Sequence, residues 1–368
     1  MQIEPFSLER WFAKYEHDAD IMLAESGIRS LDADRFDLDP GTFGYVIPTN
    51  GDPEFRAEVG DRYDRSKEEV LFTCGTQEAN FLVFASQLEA DSHSVVVTPT
   101  YQALEALPES FGEISRVWLE PPEWELDPDA VAEAIEPNTE LIVIANPNNP
   151  AGRYHDQETI EALYDLAVDN DAYLHCDEVY RLLAEDPLPP VASMGDHGIS
   201  TTSLTKAYGL AGTRFGWIVG NEDLIDDAWE WKDYTTISPG IVGQHVAKQA
   251  LGEQEAAILE ENRELAETNR DRVRSFIDEY GLDWYDPVGV NGFVTIPDGF
   301  PDAETFCRRF VEEESVVLAP GHLFGYDQYF RIGFGLPTEE LKEGLDRLGR
   351  FIDHHAVTEP TGSPAEST

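Results

Sequence analysis

Short apolar segments alternate with helical patterns over the first 220 residues. The segment Leu141–Ala145 contains only apolar residues, so we expect a strand that is buried on both faces, as in a parallel sheet. Alternation of strands and helices is typical of an open α/β sheet covered by helices. The strands that this pattern predicts are 71–73, 95–97, 116–119, 141–145, 172–176 and 215–219.

The pattern changes after Gly220. A long polar helix is predicted over about 258–280, followed by strands at 292–296, 316–319 and 330–334, with a helix at 303–313. An apolar stripe marks the last helix, and a helix from about Leu8 to Glu25 is expected to pack on this smaller α+β unit. We therefore predict a large domain at 41–281 and a small domain formed by 1–40 and 282–356. A Pro/Ser/Thr-rich tail at 357–368 is expected to be disordered.

Charge narrows the possible functions. The chain has 73 acidic and 25 basic residues, a formal net charge of −48. Such a protein is not expected to bind nucleic acid, which requires basic surface, or anionic membranes. The acidic residues are spread along the chain, which indicates adaptation to a high-salt cytoplasm rather than an acidic interaction protein, whose charge would lie in blocks. Three widely spaced cysteines and an N-terminus without a signal-like apolar segment also favour the cytoplasm, without disulfides or a zinc site.

Several polar segments follow the predicted strands, where ligands of open parallel sheets bind. Gly75, Thr76 and Gln77 open a helix after a strand, so their N–H groups and the helix dipole form a candidate anion site. Ser203 and Arg214 are candidates to complete a phosphate cradle. The glycines nearby match neither GxGxxG nor a Walker loop. Alone, the helix start is an ordinary N-cap and Arg214 a surface ion pair.

Lys206 lies in the glycine-punctuated segment SLTKAYGLAGTRFG. An amine beside a phosphate cradle suggests pyridoxal 5'-phosphate, which combines a phosphate with an aldehyde that reacts with lysine. The cofactor's ring nitrogen then needs a carboxylate, and Asp177 is the candidate. Tyr180 and Asn149 are candidates to bind the phenolic oxygen, and Tyr101 is available to stack on the ring. Each alone has a simpler interpretation, as a helix cap, a core aromatic or a turn residue.

These segments carry a family resemblance over about 41–350. NPNNPAG resembles the NP-x-NPTG loop, DEVY the D-x-x-Y motif, and the Lys206 segment the lysine signature of the class I/II aminotransferases, which are fold-type I pyridoxal-phosphate enzymes. GTQEAN and PTY resemble the phosphate turn and the stacking segment of that family. FSLERWFAKYEHDA followed by SGIR is more faintly similar to a capreomycidine synthase-like subgroup.

The resemblance implies further roles. Arg331, in FRIGFG, matches the arginine that pairs with the substrate's α-carboxylate. Tyr45 lies near the place of the tyrosine that reaches the neighbouring subunit's phosphate, so a homodimer is expected. The family's usual N-terminal opening is missing, and AESGIRSLDADRF stands near its place, so Gly27 and Ile28 are expected to line the substrate pocket.

The implied reaction is transamination between an amino acid and a 2-oxo acid through a Schiff base on Lys206, with Asp177 and Tyr180 as further catalytic residues. Two alternatives remain open. One is β-elimination, C–S lysis or cyclisation in the same site, and the other is a non-catalytic binding protein with the same fold. The sequence contains no obvious second arginine for an acidic substrate side chain, and the side-chain specificity stays open.

Overall fold

The computed structural model describes residues 3–356 of the 368-residue chain, and the expected tail at 357–368 lies outside the described residues. Its strands are β1 (Ile21–Met22), β2 (Val70–Thr73), β3 (His93–Thr98), β4 (Glu113–Trp118), β5 (Thr139–Ala145), β6 (Tyr173–Asp177), β7 (Gly198–Ser203), β8 (Gly216–Val219), β9 (Asn291–Thr295), β10 (Val316–Val317), β11 (Ala319–Pro320) and β12 (Tyr329–Gly333). Its helices are α1 (Ser7–Tyr15), α2 (Pro53–Gly60), α3 (Thr76–Gln87), α4 (Ala103–Phe111), α5 (Pro128–Ala134), α6 (Gln157–Asp169), α7 (Glu222–Lys232), α8 (Ile241–Ala250), α9 (Glu255–Tyr280), α10 (Ala303–Glu314) and α11 (Thr338–Ala356).

A seven-stranded sheet forms the centre of the molecule, in the order β2-β8-β7-β6-β5-β3-β4. The pairs β3–β4, β3–β5, β5–β6 and β6–β7 are parallel, and β8 runs antiparallel to both of its neighbours. The predicted mostly parallel α/β sheet is confirmed. The apolar strand β5 lies in its middle, and the side chains of Leu141–Ala145 are all buried, because helices cover both faces.

Strand β7 is a finding that the apolar pattern does not predict. Its sequence GISTTS contains one large apolar residue, yet it lies between β6 and β8 and is almost entirely buried. Its hydroxyl groups have partners inside the protein: Ser200 accepts a hydrogen bond from the amide of Ala192, and Thr201 donates one to Asn80. A buried polar strand is tolerated when its groups are paired in this way.

After β8 the chain forms a second, antiparallel sheet in the order β11-β12-β9. The predicted strand at 316–319 is divided at Leu318, so that β10 pairs with β1 and β11 pairs with β12. The predicted long helix corresponds to α9. The last helix, α11, buries the apolar stripe expected for it, formed by Leu341, Leu345, Leu348 and Ile352.

The N-terminal helix is shorter than expected. It ends at Tyr15 rather than near Glu25, because Ile21–Met22 leaves the helix to pair in parallel with Val316–Val317. The indole of Trp11 donates to the carbonyl of Leu318 over 2.9 Å, and the amide of Ser7 donates to the side chain of Gln102 over 2.8 Å. Helix α1 therefore bridges the region around the second sheet and the loop after β3. None of the helices within residues 3–356 has the length and apolar character needed to cross a membrane.

Candidate active site

A cavity lies at the carboxyl ends of the central strands β5, β6 and β7, where the following loops meet helices α1 and α3. Ten residues that the sequence singles out line it together. They are Thr76, Gln77, Tyr101, Asn149, Asp177, Tyr180, Ser203, Lys206, Arg214 and Arg331.

The amine of Lys206 is enclosed in this cavity. Lys206 follows β7, and its Nζ donates to Glu25 Oε1 over 3.3 Å and to Ser26 Oγ over 3.2 Å. Burial lowers the pKa of Lys206, but Tyr180 and Glu25 more than offset this effect, so the pKa lies above its ordinary value. The positive charge of Lys206 in turn lowers the pKa of Glu25.

Asp177, the last residue of β6, is buried beneath the cavity. Its Oδ2 accepts from Asn80 Nδ2 over 3.0 Å, and its Oδ1 accepts from the amide of Val179 over 3.2 Å. Burial raises the pKa of Asp177 to about 6, although both hydrogen bonds favour the ionised form. A carboxylate held in this way is suited to sharing a proton with a nitrogen of a bound ring.

Asn80 is held by a buried chain of polar groups. Thr201 Oγ1 donates to Asn80 Oδ1 over 2.7 Å and lies 3.1 Å from His175 Nε2. Since the single hydroxyl proton of Thr201 points to Asn80, His175 Nε2 carries the proton in the contact to Thr201. Burial lowers the pKa of His175 to about 3, so this histidine is neutral. The chain fixes the direction of the Asn80 amide and thereby the partner of Asp177.

The start of α3 forms a cradle for an anion. Gly75 has φ +88°, and a Cβ there would lie 2.6 Å from Arg214 Nη2, so only glycine lets the guanidinium approach so closely. Arg214 Nη2 donates to the carbonyl of Cys74 over 3.2 Å. The hydroxyl of Thr76 is buried without a hydrogen-bond partner among the described residues. Ser203 is buried nearby in the lining of the same cavity.

Arg331, on β12, is a buried cation of the cavity lining that is contributed by the second sheet. Its Nη1 donates to Asn149 Oδ1 over 3.0 Å and its Nη2 to the carbonyl of Ala24 over 2.7 Å, while its Nε has no partner within residues 3–356. Burial lowers the pKa of Arg331. The part of the chain that the structure describes contains no ion pair with Arg331, so this guanidinium is available to a carboxylate ligand.

Aromatic and amide groups complete the lining. Tyr180 is buried in the cavity wall, and Asn149 is oriented by its contact with Arg331. The hydroxyl of Tyr101 donates to Glu9 Oε1 over 3.2 Å, and burial together with Glu9 raises the pKa of Tyr101. Asn149 and Tyr180 are thus available as hydrogen-bond partners, and Tyr101 as an aromatic surface, for a ring bound in this cavity.

Gly27 and Tyr45 lie outside this cavity. Gly27 lines an adjacent cavity together with Ile28 and residues 335–337. The side chain of Tyr45 is 70% exposed on the surface of the single chain. Their roles in substrate binding stay predictions.

Other lining residues are not among those predicted from the sequence. Glu25 and Ser26 directly precede Gly27 in the segment AESGIR. This segment does line the cavity, but the residues that contact Lys206 are Glu25 and Ser26 rather than the expected Gly27 and Ile28. Asn80 lies one helical turn after Thr76, and this spacing in the sequence predicts that Asn80 lies beside the cradle. The remaining ones are Leu8, Glu9, Phe12, Glu16, Leu104, Ala145, Val179 and Thr205.

Comparison with known proteins identifies the family of this chain. A family model described as aminotransferase class I and II matches residues 18–348. The chain is a class I/II aminotransferase. Its activity is therefore the pyridoxal-phosphate-dependent transfer of an amino group, as the resemblance implies.

Relatives of this aminotransferase span most of its length. Capreomycidine synthase of Streptomyces vinaceus is 31% identical over 369 residues, with 95% of this chain and 94% of the relative covered, which confirms the fainter likeness noted above. Aspartate/prephenate aminotransferase of Thermus thermophilus is 30% identical, with 87% and 86% covered. The crystal structure of a PLP-dependent aminotransferase from Streptococcus suis has a TM-score of 0.90 and 32% identity, with 96% of this chain and 99% of that chain covered.

The residues of this aminotransferase fit pyridoxal phosphate. The cradle at Gly75 presents the Arg214 guanidinium and the unpartnered hydroxyl of Thr76, which suit a phosphate. Lys206 supplies an amine in the same cavity, and Asp177 a buried carboxylate. The donor set thus matches the three chemical features of the cofactor: phosphate, aldehyde and ring nitrogen.

Proposed function

We propose that Lys206, Asp177 and Arg331 are the principal functional residues of this aminotransferase, which moves an amino group between an amino acid and a 2-oxo acid. The observation that carries the proposal is that one cavity is lined by a lysine amine, a buried carboxylate and a buried guanidinium that forms no ion pair within residues 3–356. These three groups match the cofactor's aldehyde, its ring nitrogen and the substrate's α-carboxylate.

Bound pyridoxal phosphate supplies an aldehyde that takes up amino groups and a ring that accepts an electron pair. In this proposal Arg214, Thr76 and the start of α3 hold the phosphate. The Asp177 carboxylate would keep a proton on the ring nitrogen, and the Asn80 amide orients that carboxylate. Asn149 and Tyr180 bind the phenolic oxygen, and the ring of Tyr101 covers one face.

Lys206 Nζ and Arg331 act on the amino acid itself. Arg331 binds the α-carboxylate with its planar guanidinium, which fixes the direction of the Cα–H bond. Lys206 Nζ, in its unprotonated form, would remove the proton from Cα as a general base and would then be the acid that returns this proton. Glu25 and Ser26 hold the amine of Lys206 at this end of the cavity.

The relative at 31% identity is named a synthase and not an aminotransferase. Elimination or cyclisation in the same site therefore stays the second candidate function. Product analysis separates the two reactions, because only transamination leaves the amine form of the cofactor and a 2-oxo acid. Elimination releases ammonia, and cyclisation gives a ring product.

A homodimer is part of the proposal. Two neighbouring segments, joined by hydrogen bonds from Trp229 to Thr49 and from Asp52 to Gln244, carry large exposed apolar side chains. Glu78 connects the same region to the phosphate cradle through Thr235 and Thr236. An exposed apolar surface of this kind favours burial against a second copy, and Tyr45 would then reach the neighbouring site. The side chains are Leu38, Phe43, Tyr45, Ile47, Trp231, Tyr234, Ile237 and Val242.

Three further expectations stay predictions. The charge of −48 supports a protein that works at high salt, where self-repulsion is screened. The free thiols of Cys74, Cys176 and Cys307 suit a reducing cytoplasm. The division into a large domain at 41–281 and a small domain at 1–40 and 282–356 awaits a test by limited proteolysis.

The visible absorption spectrum of the purified protein in high salt tests the proposed function. With pyridoxal phosphate added, a band of the lysine-bound cofactor is expected, and it bleaches to the amine form when a suitable amino acid is supplied. A band that changes while ammonia or a ring product is released supports the second candidate. Absence of any band overturns the proposal.

A further inference from the structure

We propose that Glu78 and Lys232 are positioning residues for the cofactor's phosphate. The Glu78 carboxylate fixes the turn that forms the phosphate cradle, and Lys232 cancels the charge of that carboxylate, so that a phosphate can bind beside it. This inference rests on the proposed function, because it takes the phosphate to lie at Arg214 and the start of α3. Neither Glu78 nor Lys232 lines the cavity, so both act through the backbone and the charge of the cradle.

The peptide groups of Cys74 connect Glu78 to the phosphate cradle. The N–H of Cys74 donates to Glu78 Oε2 over 2.6 Å, and the carbonyl of Cys74 accepts from Arg214 Nη2 over 3.2 Å. Glu78 is the third residue of α3, where a glutamate that caps the helix is common. The contact with Cys74 taken alone is therefore no more than a helix cap, although it fixes the residue that Arg214 contacts.

The cationic partner of Glu78 is unusual. Lys232 is the last residue of α7, and its Nζ donates to Glu78 Oε2 over 3.0 Å. The side chain of Lys232 is 0% exposed, and Lys232 is the one buried lysine among residues 3–356. Burial of an ammonium group is strongly unfavourable unless a charge and hydrogen bonds compensate it. A buried lysine at this place therefore points to a role in the charge balance of the first turn of α3.

Two hydroxyl groups complete the contacts of Glu78. Thr235 and Thr236, in the segment after α7, both donate to Glu78 Oε1, and Lys232 Nζ also contacts Thr236 Oγ1. The turn that presents them contains Ile237 at φ +66°, a conformation that a β-branched residue rarely adopts. The amide of Ile237 donates to the carbonyl of Lys232 over 3.0 Å. Backbone strain of this kind persists where surrounding contacts hold it, and it clusters at functional sites.

The charge of Glu78 explains the need for Lys232. Burial alone would raise the pKa of Glu78, but Lys232 and the Cys74 amide more than offset this effect, so the pKa lies below its ordinary value and the carboxylate is ionised. Without a counter-charge, this carboxylate would repel a phosphate that binds at the same helix start. With Lys232 in place the pair is neutral, and the helix start and Arg214 attract the phosphate unopposed.

The test compares pyridoxal phosphate with 5-deoxypyridoxal, which has the same aldehyde, ring and phenolic oxygen but no phosphate. The full-length protein without cofactor is titrated with each compound at one fixed salt concentration, and the absorbance of the lysine-bound form gives two Kd values. The Kd of 5-deoxypyridoxal divided by the Kd of pyridoxal phosphate measures what the phosphate contributes to binding. We call this quotient the phosphate ratio. A variant that only loosens the fold weakens the binding of both compounds and leaves the phosphate ratio unchanged.

Lys232→Met tests the counter-charge, because methionine keeps the apolar part of the side chain. The phosphate ratio is expected to fall about ten- to thirtyfold, since the uncompensated Glu78 carboxylate repels the phosphate. Adding Glu78→Gln removes the repelling charge and keeps an acceptor for the Cys74 N–H, so the ratio of the double variant should return to within about threefold of wild type. The double variant leaves no unpaired charge at this place, so it keeps the test decisive if Lys232→Met alone does not fold.

Glu78→Ala separates positioning from charge. This variant leaves Lys232 without its anionic partner, so charge alone would strengthen phosphate binding and raise the phosphate ratio. Loss of the acceptor for the Cys74 N–H is expected to lower the ratio instead, by about three- to tenfold, because Cys74 no longer holds Arg214 in place.

Glu69→Ala is the matched control for Glu78→Ala. Glu69 likewise accepts from a backbone N–H, that of Ser66, over 2.8 Å and pairs with an adjacent cation, Arg65, over 2.6 Å. It lies just before β2 and does not line the cavity. Its phosphate ratio is expected to equal that of wild type.

The outcomes separate the two claims. If the wild type forms no absorbance band with pyridoxal phosphate, the proposed function fails. If the wild type prefers pyridoxal phosphate but Lys232→Met and Glu78→Ala keep its phosphate ratio, the inference is overturned while the proposed function stands. A double variant with a ratio as low as that of Lys232→Met overturns the role of Lys232 as counter-charge, and a ratio of Glu78→Ala above that of wild type overturns the positioning role of Glu78.

Discussion

The amide of Asn80 donates a hydrogen bond to the carboxylate of Asp177 over 3.0 Å, and both side chains are buried. Asn80 itself is oriented by Thr201, which contacts the neutral His175. A carboxylic acid is thus placed where ionisation is costly, with the Asn80 amide and the Val179 N–H as fixed donors to its two oxygens. This arrangement suits a ligand that carries a positively charged group. Without the cofactor, ionised Asp177 is predicted to destabilise the protein.

The sign of that effect is set by the pKa of Asp177, which is raised from 3.8 to about 6 in the folded protein. The buried carboxylate, once ionised, therefore destabilises the folded protein. This destabilisation is absent below about pH 4 and complete above about pH 6. In the cofactor-free protein, Asp177→Asn should gain unfolding free energy relative to wild type across this window, on the order of 2 to 3 kcal/mol. Denaturant unfolding at several pH values measures it, and a difference that does not vary with pH would contradict the account. Asp18→Asn is the control, because Asp18 is an exposed acid just beyond α1. Transamination by Asp177→Asn should fall sharply.

Gly75→Ala should weaken cofactor binding. The new Cβ would lie 2.6 Å from Arg214 Nη2, so the guanidinium must move out of the cradle. Gly281 is a matched control, because it also has positive φ, +61°, but open space around its Cβ position. Gly281→Ala should lose about 1 kcal/mol of stability, because its backbone is left-handed helical. Gly75→Ala should lose more, about 1 to 3 kcal/mol, because φ +88° with ψ 169° is a conformation that suits glycine alone. Only Gly75→Ala should raise the Kd for pyridoxal phosphate, measured by absorbance titration. Equal Kd values for the two variants would show that Arg214 does not depend on Gly75.

Arg331→Lys should raise KM for every amino donor, by about a hundredfold, because lysine cannot reproduce the fork that a carboxylate binds. Cofactor binding should stay near normal. Arg308→Lys, a change at a half-exposed residue of α10 that pairs with Glu312, is the control. Steady-state kinetics with two different donors checks this prediction, and an unchanged KM would remove Arg331 from the substrate site.

Glu25→Gln should speed the recombination of cofactor-free protein with pyridoxal phosphate near neutral pH. The carboxylate of Glu25 helps to keep the pKa of Lys206 high, and only the unprotonated amine attacks the aldehyde. Loss of the charge lowers that pKa, so the pH at which the recombination rate is half-maximal should move down. Stopped-flow absorbance across pH gives this profile, and a profile identical to that of wild type would mean that Glu25 does not influence Lys206.

The sequence predicts those positions of the candidate site at which the proposed chemistry allows one type of residue. A lysine, an arginine between glycines and a carboxylate at a strand end each have a simpler interpretation alone, but together they suggest one cofactor, and the structure brings them together in one cavity. The apolar strands of the central sheet are predictable for a similar reason, since burial on both faces leaves an unbroken apolar segment such as Leu141–Ala145.

What the sequence does not predict depends on contacts between distant segments. Strand β7 lacks an apolar pattern, because its hydroxyl groups are satisfied by Ala192 and Asn80 rather than by water. The partners of Lys206 come from residues 25 and 26, about 180 positions away. Helix α1 ends early because Ile21–Met22 pairs with β10. Local patterns contain no information about such pairings.

The most direct test of the account is to find which lysine binds the cofactor. The holoenzyme is reduced with borohydride, which fixes pyridoxal phosphate to the amine that holds it, and the digested protein is mapped by mass spectrometry. The label is expected on Lys206, with no label and no turnover in Lys206→Ala and normal labelling in the control Lys342→Ala, which changes an exposed lysine of α11. Labelling at Lys232 or another lysine, or turnover by Lys206→Ala, would contradict the account.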